Sequence, residues 1–212
     1  MKQIPDIDQL EDPSLYEKVL TIRYDMIGSF VLGEMTRYTR PMLRILFTIA
    51  ATILLSVWFW PGVIYNPEEP RVIAGLATGL VLIPLLLVPV HEGSHLIPFL
   101  LAGARDIRFG ADIRQGIIYV TAHRFVADKR TFSIVASAPF ILITFAILAA
   151  VILTPPWWKW VLSMTLMGHT TMCAGDAALT GFMSRFGKRK VFTWDDADMK
   201  EAYIYASKDK IE

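Results

Sequence analysis

His91, Glu92 and His95 form an HExxH motif, and their residue types and spacing point to metal chemistry. Residues i and i+4 of a helix lie on one face, so both imidazoles can bind the same tetrahedral Zn²⁺ ion. Glu92 follows the first histidine, where it can take a proton from a water molecule. The motif therefore predicts a zinc site with Glu92 as its general base. In the alternative interpretation, both histidines hydrogen-bond to neighbouring helices and Glu92 is protonated.

Catalytic zinc usually takes three protein ligands, and Asp176 is the acid whose depth matches the motif. Asp176 lies nine residues before Arg185, and His95 lies ten residues before Arg105. At 1.5 Å per helical residue, both are roughly 13–15 Å inside the ends of their apolar segments. We therefore predict that Asp176 is the third ligand.

Three further residues are candidates for a metal ligand or for another role in the site. His169 precedes Asp176 by seven residues. It lies on nearly the same helix face, about 10 Å from Asp176 along the helix axis. It either donates a hydrogen bond to a developing oxyanion or is a buried histidine bonded to a neighbouring helix. Cys173 offers a thiolate that zinc accepts, although a lone cysteine in an apolar segment is more often a packing residue. His123 belongs to the central loop and is expected to be solvated unless that loop folds back.

The motif lies inside one of four apolar blocks. Apolar residues make up 54% of the chain and charged residues 19%, against about 45–50% and about 25% in soluble domains. This composition excludes a disordered chain and disfavours an ordinary soluble enzyme. Since about 20 apolar residues cross a membrane as a helix, the sequence predicts four transmembrane helices, at about 42–60, 72–103, 132–153 and 157–183.

The second block is too long for a simple span. Residues 72–104 would make about 50 Å of helix, more than the hydrocarbon core of roughly 30 Å. Pro84, Pro89 and Pro98 each remove a backbone donor. We therefore expect a kinked or broken helix near HExxH.

Hydrolysis consumes water, which must reach a site inside an apolar segment. Thr180 and Ser184 follow Asp176 by four and eight residues, on the same helix face and toward the nearer end. We expect a wet groove past these hydroxyls, with the central loop as its lid. In the alternative interpretation, both hydroxyls bond only to carbonyls of their own helix.

Lysine and arginine are distributed unevenly between the two sides of the predicted bundle. Segments 1–44, 104–131 and 184–212 hold 19 of the 21, and Arg71 and Lys159 are the other two. Cytoplasmic loops carry an excess of these residues. We therefore expect an integral membrane protein whose termini and central loop are cytoplasmic.

The predicted fold class is all-α: a polytopic membrane protein with four transmembrane helices and a small cytoplasmic β-hairpin-like insertion between helices 2 and 3. Residues 1–41 form a cytoplasmic segment whose helical spacing over 14–36 suggests an amphipathic helix, either on the membrane or on other cytoplasmic segments. The membrane domain is 42–183. The insertion, 106–122, has short β-favouring runs split by glycines. The cytoplasmic tail, 184–212, has a strand-like piece and then a polar helix.

The motifs resemble those of a known family. HEGSH at 91–95 and AGD at 174–176 are similar to the putative zincin peptidases, a family of small bacterial membrane proteins, and more distantly to the site-2 proteases. The resemblance covers about residues 85–205, including YVT at 119–121 and SAPF at 137–140. It implies an intramembrane or membrane-surface zinc endopeptidase of the bacterial cytoplasmic membrane.

The resemblance also implies roles for single residues. The two histidines of the motif and Asp176 would bind zinc, and Glu92 would be the base. The site-2 proteases carry an Asn-Pro…Asp-Gly pattern around the third ligand, whereas here Ala177 follows Asp176 and no Asn or Pro precedes it in the span. His169 would then replace the Asn as oxyanion donor.

The sequence thus predicts a membrane-embedded zinc endopeptidase that cleaves membrane-protein or juxtamembrane substrates. The second interpretation is a non-enzymatic metal-binding membrane protein, a transporter or sensor that uses the same His/His/Asp set. A transporter needs polar groups on both sides of its site, and the outer halves of these spans offer almost none. The expected partners are the lipid bilayer and a peptide or membrane-protein substrate, with no nucleic acid.

Overall fold

The computed structural model describes residues 4–60, 69–112 and 117–210, and it joins a bundle of apolar helices to a four-stranded sheet. The helices are α1 (Ile7–Glu11), α2 (Ile27–Met35), α3 (Arg40–Phe59), α4 (Glu69–Ala77), α5 (Ile83–Leu101), α6 (Lys129–Leu153), α7 (Pro156–Met172) and α8 (Ala174–Ser184). The strands are β1 (Tyr16–Arg23), β2 (Ile107–Asp112), β3 (Ile117–Ala122), β4 (Ala127–Asp128), β5 (Arg189–Asp196) and β6 (Glu201–Lys210).

Three helical rods are long and apolar enough to cross a membrane. They are Arg40–Phe59, Arg71–Leu101 and Lys129–Leu153, with 20, 31 and 25 residues. Large apolar side chains are exposed along them, among them Phe47 and Phe145. Because exposed apolar surface of this extent is costly in water, these helices are compatible with a membrane protein.

The prediction of an all-α protein with four membrane-spanning helices is wrong. The fourth predicted span, 157–183, is divided at Cys173 into α7, with 17 residues, and α8, with 11. Thr170 and Thr171 donate their hydroxyl hydrogens to carbonyls of α7 over 2.7 and 2.6 Å. Such back-bonding competes with the helical ladder and bends helices. The chain is also not all-α, because two antiparallel sheets are present.

The four-stranded antiparallel sheet joins three distant parts of the chain in the order β1-β6-β5-β4. Tyr16 of β1 pairs with Ser207 of β6, and Thr193 of β5 pairs with Ile204 of β6. Buried Met183 of α8 packs against this sheet through Ile204 and its neighbours. The N-terminal segment, the residues before α6 and the C-terminal tail therefore form one unit at one end of the helices.

Two helical expectations outside the membrane segments are wrong. The segment 14–36 begins as strand β1 and becomes α-helical only at Ile27. The polar helix expected in the tail is instead a turn, with Lys200 at φ 54°, followed by β6. Tyr203 and Tyr205 favour a strand, and pairing of β6 with both β1 and β5 satisfies its backbone on both edges.

The predicted hairpin before α6 is confirmed. β2 and β3 pair antiparallel, with Phe109 opposite Val120. Its connecting residues, 113–116, lie outside the described residues. Ala122 at the end of β3 packs with Phe99 of α5 and Val135 of α6. This contact holds the hairpin beside α5, which precedes it, and α6, which follows it.

The helix that carries HExxH is continuous through the motif, so the break expected there is absent from the described residues. The irregularity is a π-helical stretch, Thr78–Leu82, directly before Pro84. Pro84 lies in the first turn of α5, where a missing N–H is tolerated. A Cβ on Gly79 would lie 2.6 Å from the carbonyl oxygen of Val161, and one on Gly168 would lie 2.7 Å from Cγ of Pro84. These glycines permit α7 to pack closely against the helical segment that contains Gly79 and Pro84.

Candidate metal centre

α5 presents the two histidines of the motif on one face, as the i, i+4 spacing predicts. His91 and His95 are 4% and 7% exposed, and their ring centroids are 5.4 Å apart. Glu92 projects from the adjacent position and is half-buried. The helix alone therefore brings these three side chains together.

Asp176 is brought to the histidines by the beginning of α8. Oδ2 of Asp176 lies 3.5 Å from Nε2 of His91, and Oδ1 lies 3.7 Å from Nε2 of His95. Asp176 belongs to the first turn of α8, where the helix dipole stabilises a negative charge. The interruption at Cys173 thus creates the helix N-terminus that holds this carboxylate.

These separations fit ligands that share an ion. A direct N–H···O hydrogen bond spans about 2.7–3.2 Å, whereas two ligands about 2.0–2.1 Å from a tetrahedral zinc are roughly 3.3 Å apart. Nδ1 of His95 lies 3.0 Å from the carbonyl oxygen of Val135, which can only accept. That nitrogen therefore donates, which leaves Nε2, on the side of Asp176, as the ring nitrogen that can bind a metal ion.

Glu92 lies within reach of both histidines, with a carboxylate oxygen within 4.8 Å of their ligand atoms, and it also bonds to the hairpin. Its Oε2 accepts a hydrogen bond of 3.1 Å from the backbone N–H of Val120 in β3. Since Val120 uses its N–H in this way, that edge of β3 faces the site. Glu92 therefore lies between the potential ligands and a free strand edge.

A cavity of about 310 Å³ opens on this group. The motif residues and Asp176 line it together with residues of the hairpin, the N-terminal segment and the sheet, among them Tyr24, Tyr119, Thr121, Thr193 and Asp195. The site is therefore reached from the end of the molecule where the sheet lies. An accessible space beside the ligands is what a catalytic zinc site requires, because one coordination position stays open.

The comparisons with known proteins agree with this geometry. The family model described as Putative zincin peptidase matches residues 84–191, just over half of the chain, and this range includes the motif, the hairpin and Asp176. The chain belongs to the putative zincin peptidase family. Membership indicates a zinc metallopeptidase, and the more distant resemblance to the site-2 proteases stays a prediction. No curated protein and no solved structure gives a significant match to this chain.

Sequence reasoning missed the polar residues of the sheet and hairpin that line the 310 Å³ cavity. The hydroxyl of Thr121 donates to Oδ2 of Asp195 over 2.5 Å. Burial raises the pKa of Asp195 to about 6, against an ordinary value near 3.8. Burial also raises the pKa of Tyr24, and the nearby Asp195 adds to this. No short motif marks these residues, because strand pairing across most of the chain brings them to the cavity.

The hydrogen bonds of Thr180 and Ser184 favour the alternative interpretation of the predicted water path. The hydroxyls of Thr180 and Ser184 donate to carbonyls of their own helix over 2.7 and 2.6 Å, at Asp176 and Gly181. Neither residue lines the 310 Å³ cavity. The polar side chains of the sheet and hairpin line it instead. Residues 113–116 of the central loop, the expected lid, lie outside the described residues.

His169 and Cys173 lie behind His91, away from the cavity. His169 is fully buried, and its ring centroid is 5.6 Å from that of His91. Sγ of Cys173 is 3.7 Å from Nε2 of His169 and 4.0 Å from Nδ1 of His91. These three residues form a second group with ligand atoms within 4.8 Å of one another. The oxyanion role of His169 stays a prediction, and its position favours contact with His91 over contact with a carbonyl in the cavity.

His123 lies on the sheet, not in the metal centre. Its Nδ1 accepts from the backbone N–H of Ala197 over 3.1 Å, and its Nε2 lies 3.6 Å from Asp198. Asp198 is also paired with Arg108. His123 is thus engaged with the turn between β5 and β6.

Proposed function

We propose that this chain is a membrane-embedded zinc endopeptidase that hydrolyses peptide bonds of membrane-protein or juxtamembrane segments. The observation that carries the proposal is the approach of two imidazole nitrogens to the Asp176 carboxylate, beside Glu92 and a cavity. His91, His95 and Asp176 would hold the ion. When bound, zinc supplies Lewis acidity that polarises a carbonyl and makes water easier to deprotonate.

Access favours this ligand set over the one that contains Cys173. The two nitrogens of His91 face different groups, since Nε2 faces Asp176 and Nδ1 faces Cys173. Cys173 and His169 are 1% and 0% exposed. A metal ion among them would have no room for water and substrate, as a closed structural site has none. We therefore assign the catalytic ion to the Asp176 side of His91.

Glu92 acts as the proton carrier in this proposal. Its carboxylate takes a proton from the attacking water as the water oxygen bonds to the scissile carbonyl carbon. It then gives that proton to the leaving nitrogen as the C–N bond breaks. The N–H of Val120 fixes Oε2, and within the described residues Oε1 makes no hydrogen bond, so Oε1 is available to water.

The free edge of β3 is the proposed substrate platform. Within the described residues β3 itself pairs only with β2, and backbone pairing with β5 begins directly after β3, where His123 bridges to Asp195. A helical substrate hides its carbonyls in its own hydrogen bonds, so the segment to be cut must become extended. An extended segment added to the edge of β3 would gain main-chain hydrogen bonds to Ile118 and to the carbonyl of Val120, next to Glu92, because the N–H of Val120 already binds Glu92.

We also propose that both termini and the central loop face the cytoplasm of a bacterial cell. The sheet collects the N-terminal segment, the residues before α6 and the tail at one end of the apolar helices. These are the segments that contain 19 of the 21 lysines and arginines. The positive-inside rule then orients the chain.

A metal transporter built on the same ligands is disfavoured by the polar groups far from the sheet. Ser56 and Ser163 are buried and bond to each other over 2.8 Å. Thr165 donates to the carbonyl of Val161 over 3.1 Å. Side chains satisfied in this way do not form a hydrated path through the helices.

Hydrolysis of casein by the detergent-purified full chain tests the proposal, with zinc measured in the same samples. We expect Glu92→Gln to lose at least a hundredfold in rate while retaining its zinc, because Glu92 is a base and not a ligand. Glu11→Gln, an exposed site on α1, is the matched control and should cleave normally. Cleavage by Glu92→Gln at the wild-type rate would rule out the proposed mechanism. If the wild type retains zinc and yet hydrolyses neither casein nor transmembrane peptides, that result would favour a sensor.

A further inference from the structure

A second and larger cavity, of about 1090 Å³, lies away from the metal centre. It extends between the first turns of α6 and the residues that join α8 to β5, and we call it the basic groove. Its lining includes six cationic side chains and one acidic one: Arg44, Lys129, Arg130, Lys188, Arg189, Lys190 and Asp128. It shares no lining residue with the 310 Å³ cavity.

Most of the positive charge in the basic groove is uncompensated. Arg189 pairs with Glu17 over 2.8 Å. Asp128 accepts the N–H of Thr131 over 2.8 Å as the N-cap of α6. Within the described residues, the other five cations make no ion pair within 4.0 Å. Like charges gathered in one concave surface attract an anion.

The other half of the basic groove is apolar. Ile134 and Ile141 line it and are 56% and 48% exposed. They belong to α6, one of the helices long and apolar enough to cross a membrane. From Lys129 to Ile141 the helix rises about 18 Å, and one leaflet of the hydrocarbon core is about 15 Å thick. The groove therefore runs from headgroup depth along most of one leaflet.

We propose that the basic groove binds an anionic phospholipid of the surrounding membrane. The phosphate would lie among the lysines that follow α8 and the cations at the start of α6, and an acyl chain would lie along Ile134 and Ile141. Free phosphate would leave the apolar half uncovered, and a zwitterionic lipid would not satisfy the net charge. Basic pockets at the membrane surface recognise anionic headgroups in this way. The proposal goes beyond the peptidase function and does not depend on it.

Native mass spectrometry of the full chain in detergent tests the proposal, with dioleoyl phosphatidylglycerol and dioleoyl phosphatidylcholine added at equal concentration. We expect one phosphatidylglycerol to be retained in preference to phosphatidylcholine. The triple variant Lys129→Gln/Lys188→Gln/Lys190→Gln should bind phosphatidylglycerol roughly ten- to a hundredfold more weakly. The control Lys18→Gln/Lys200→Gln/Lys208→Gln has the same net charge, removes exposed lysines outside the groove, and should bind normally.

Three results would overturn the proposal. Equal retention of the two lipids would show that charge is not recognised. Equal losses in the two triple variants would show a general charge effect and no site. Displacement of phosphatidylglycerol by an equal concentration of inorganic phosphate would show a phosphate site without a lipid requirement. Zinc content and casein hydrolysis of the groove variant should stay at the wild-type level, which separates failure here from failure of the peptidase assignment.

Discussion

The backbone N–H of Val120 donates a 3.1 Å hydrogen bond to Oε2 of Glu92, which connects the free edge of β3 to the proposed base. A proline at this position removes the donor without removing a ladder bond to β2, because the N–H points outward. We predict that Val120→Pro lowers the rate of casein hydrolysis about tenfold or more with zinc retained. Ile118→Pro removes an N–H from the same edge, two residues away, that would bind substrate and not Glu92, so it should lower the rate at saturating casein less and act mainly on KM. Equal rates in both variants would argue against orientation of Glu92 by β3.

The raised pKa of the half-buried Asp195 carboxyl predicts a pH dependence of stability. Because burial raises its pKa to about 6 in the folded chain, the native state holds this proton more tightly than the unfolded state does. The stabilisation from protonation is therefore present at pH 4 and is lost as the pH rises through 6. We expect Asp195→Asn to raise the thermal unfolding midpoint at pH 8, with the difference shrinking toward pH 4.

The exposed Asp8 on α1 provides the control for this pH series. Asp8→Asn should leave the unfolding midpoint close to that of the wild type at pH 8. A constant difference between Asp195→Asn and the wild type from pH 4 to pH 8 would contradict a raised pKa for Asp195.

Close helix packing at Gly168 predicts a large steric cost. A Cβ there would lie 2.7 Å from Cγ of Pro84 and 3.1 Å from the carbonyl oxygen of Leu80. Overpacking of this kind costs about 1–3 kcal/mol, so Gly168→Ala should lower the unfolding midpoint in detergent by several degrees. Gly28 of α2 has no atom within 4 Å of the added Cβ. Gly28→Ala should be neutral or stabilising, and a comparable loss in both variants would show that the contact is unimportant.

The proposed orientation predicts which introduced cysteines react from outside the cell. Native Cys173 is 1% exposed and should react slowly with an impermeant maleimide. Lys208→Cys on β6 should be labelled only after the cells are opened, whereas Trp158→Cys at the start of α7 should be labelled in intact cells. Labelling of Lys208→Cys in intact cells would reverse the orientation.

The sequence correctly predicted that His91, His95 and Asp176 lie close together, whereas the predicted fold class was wrong. A helix alone brings the side chains of HExxH together. The choice of Asp176 rested only on its depth in one apolar segment, which matches the depth of the motif in another. The same argument treated 157–183 as one helix. The structure interrupts it at Cys173, so Asp176 lies at a helix N-terminus. Local hydrophobicity did not reveal this interruption, because apolar residues predominate in both α7 and α8.

The sheet could not be predicted because it depends on pairing between distant segments. β1 and β6 are separated by most of the chain, and β4 and β5 are separated by the helices α6, α7 and α8. Tyr24 and Asp195 reach the cavity through that pairing. Their part in the site therefore became visible only in three dimensions.

Metal content is the most direct test of the claim that His91, His95 and Asp176 hold the catalytic zinc. Elemental analysis of the purified chain should give about one zinc in the wild type and in Cys173→Ser, and almost none in His95→Ala and Asp176→Ala. Substitution with Co²⁺ should give a tetrahedral spectrum without a thiolate charge-transfer band. Full zinc in Asp176→Ala together with its loss in Cys173→Ser would place the ion among His91, His169 and Cys173 and would contradict the account.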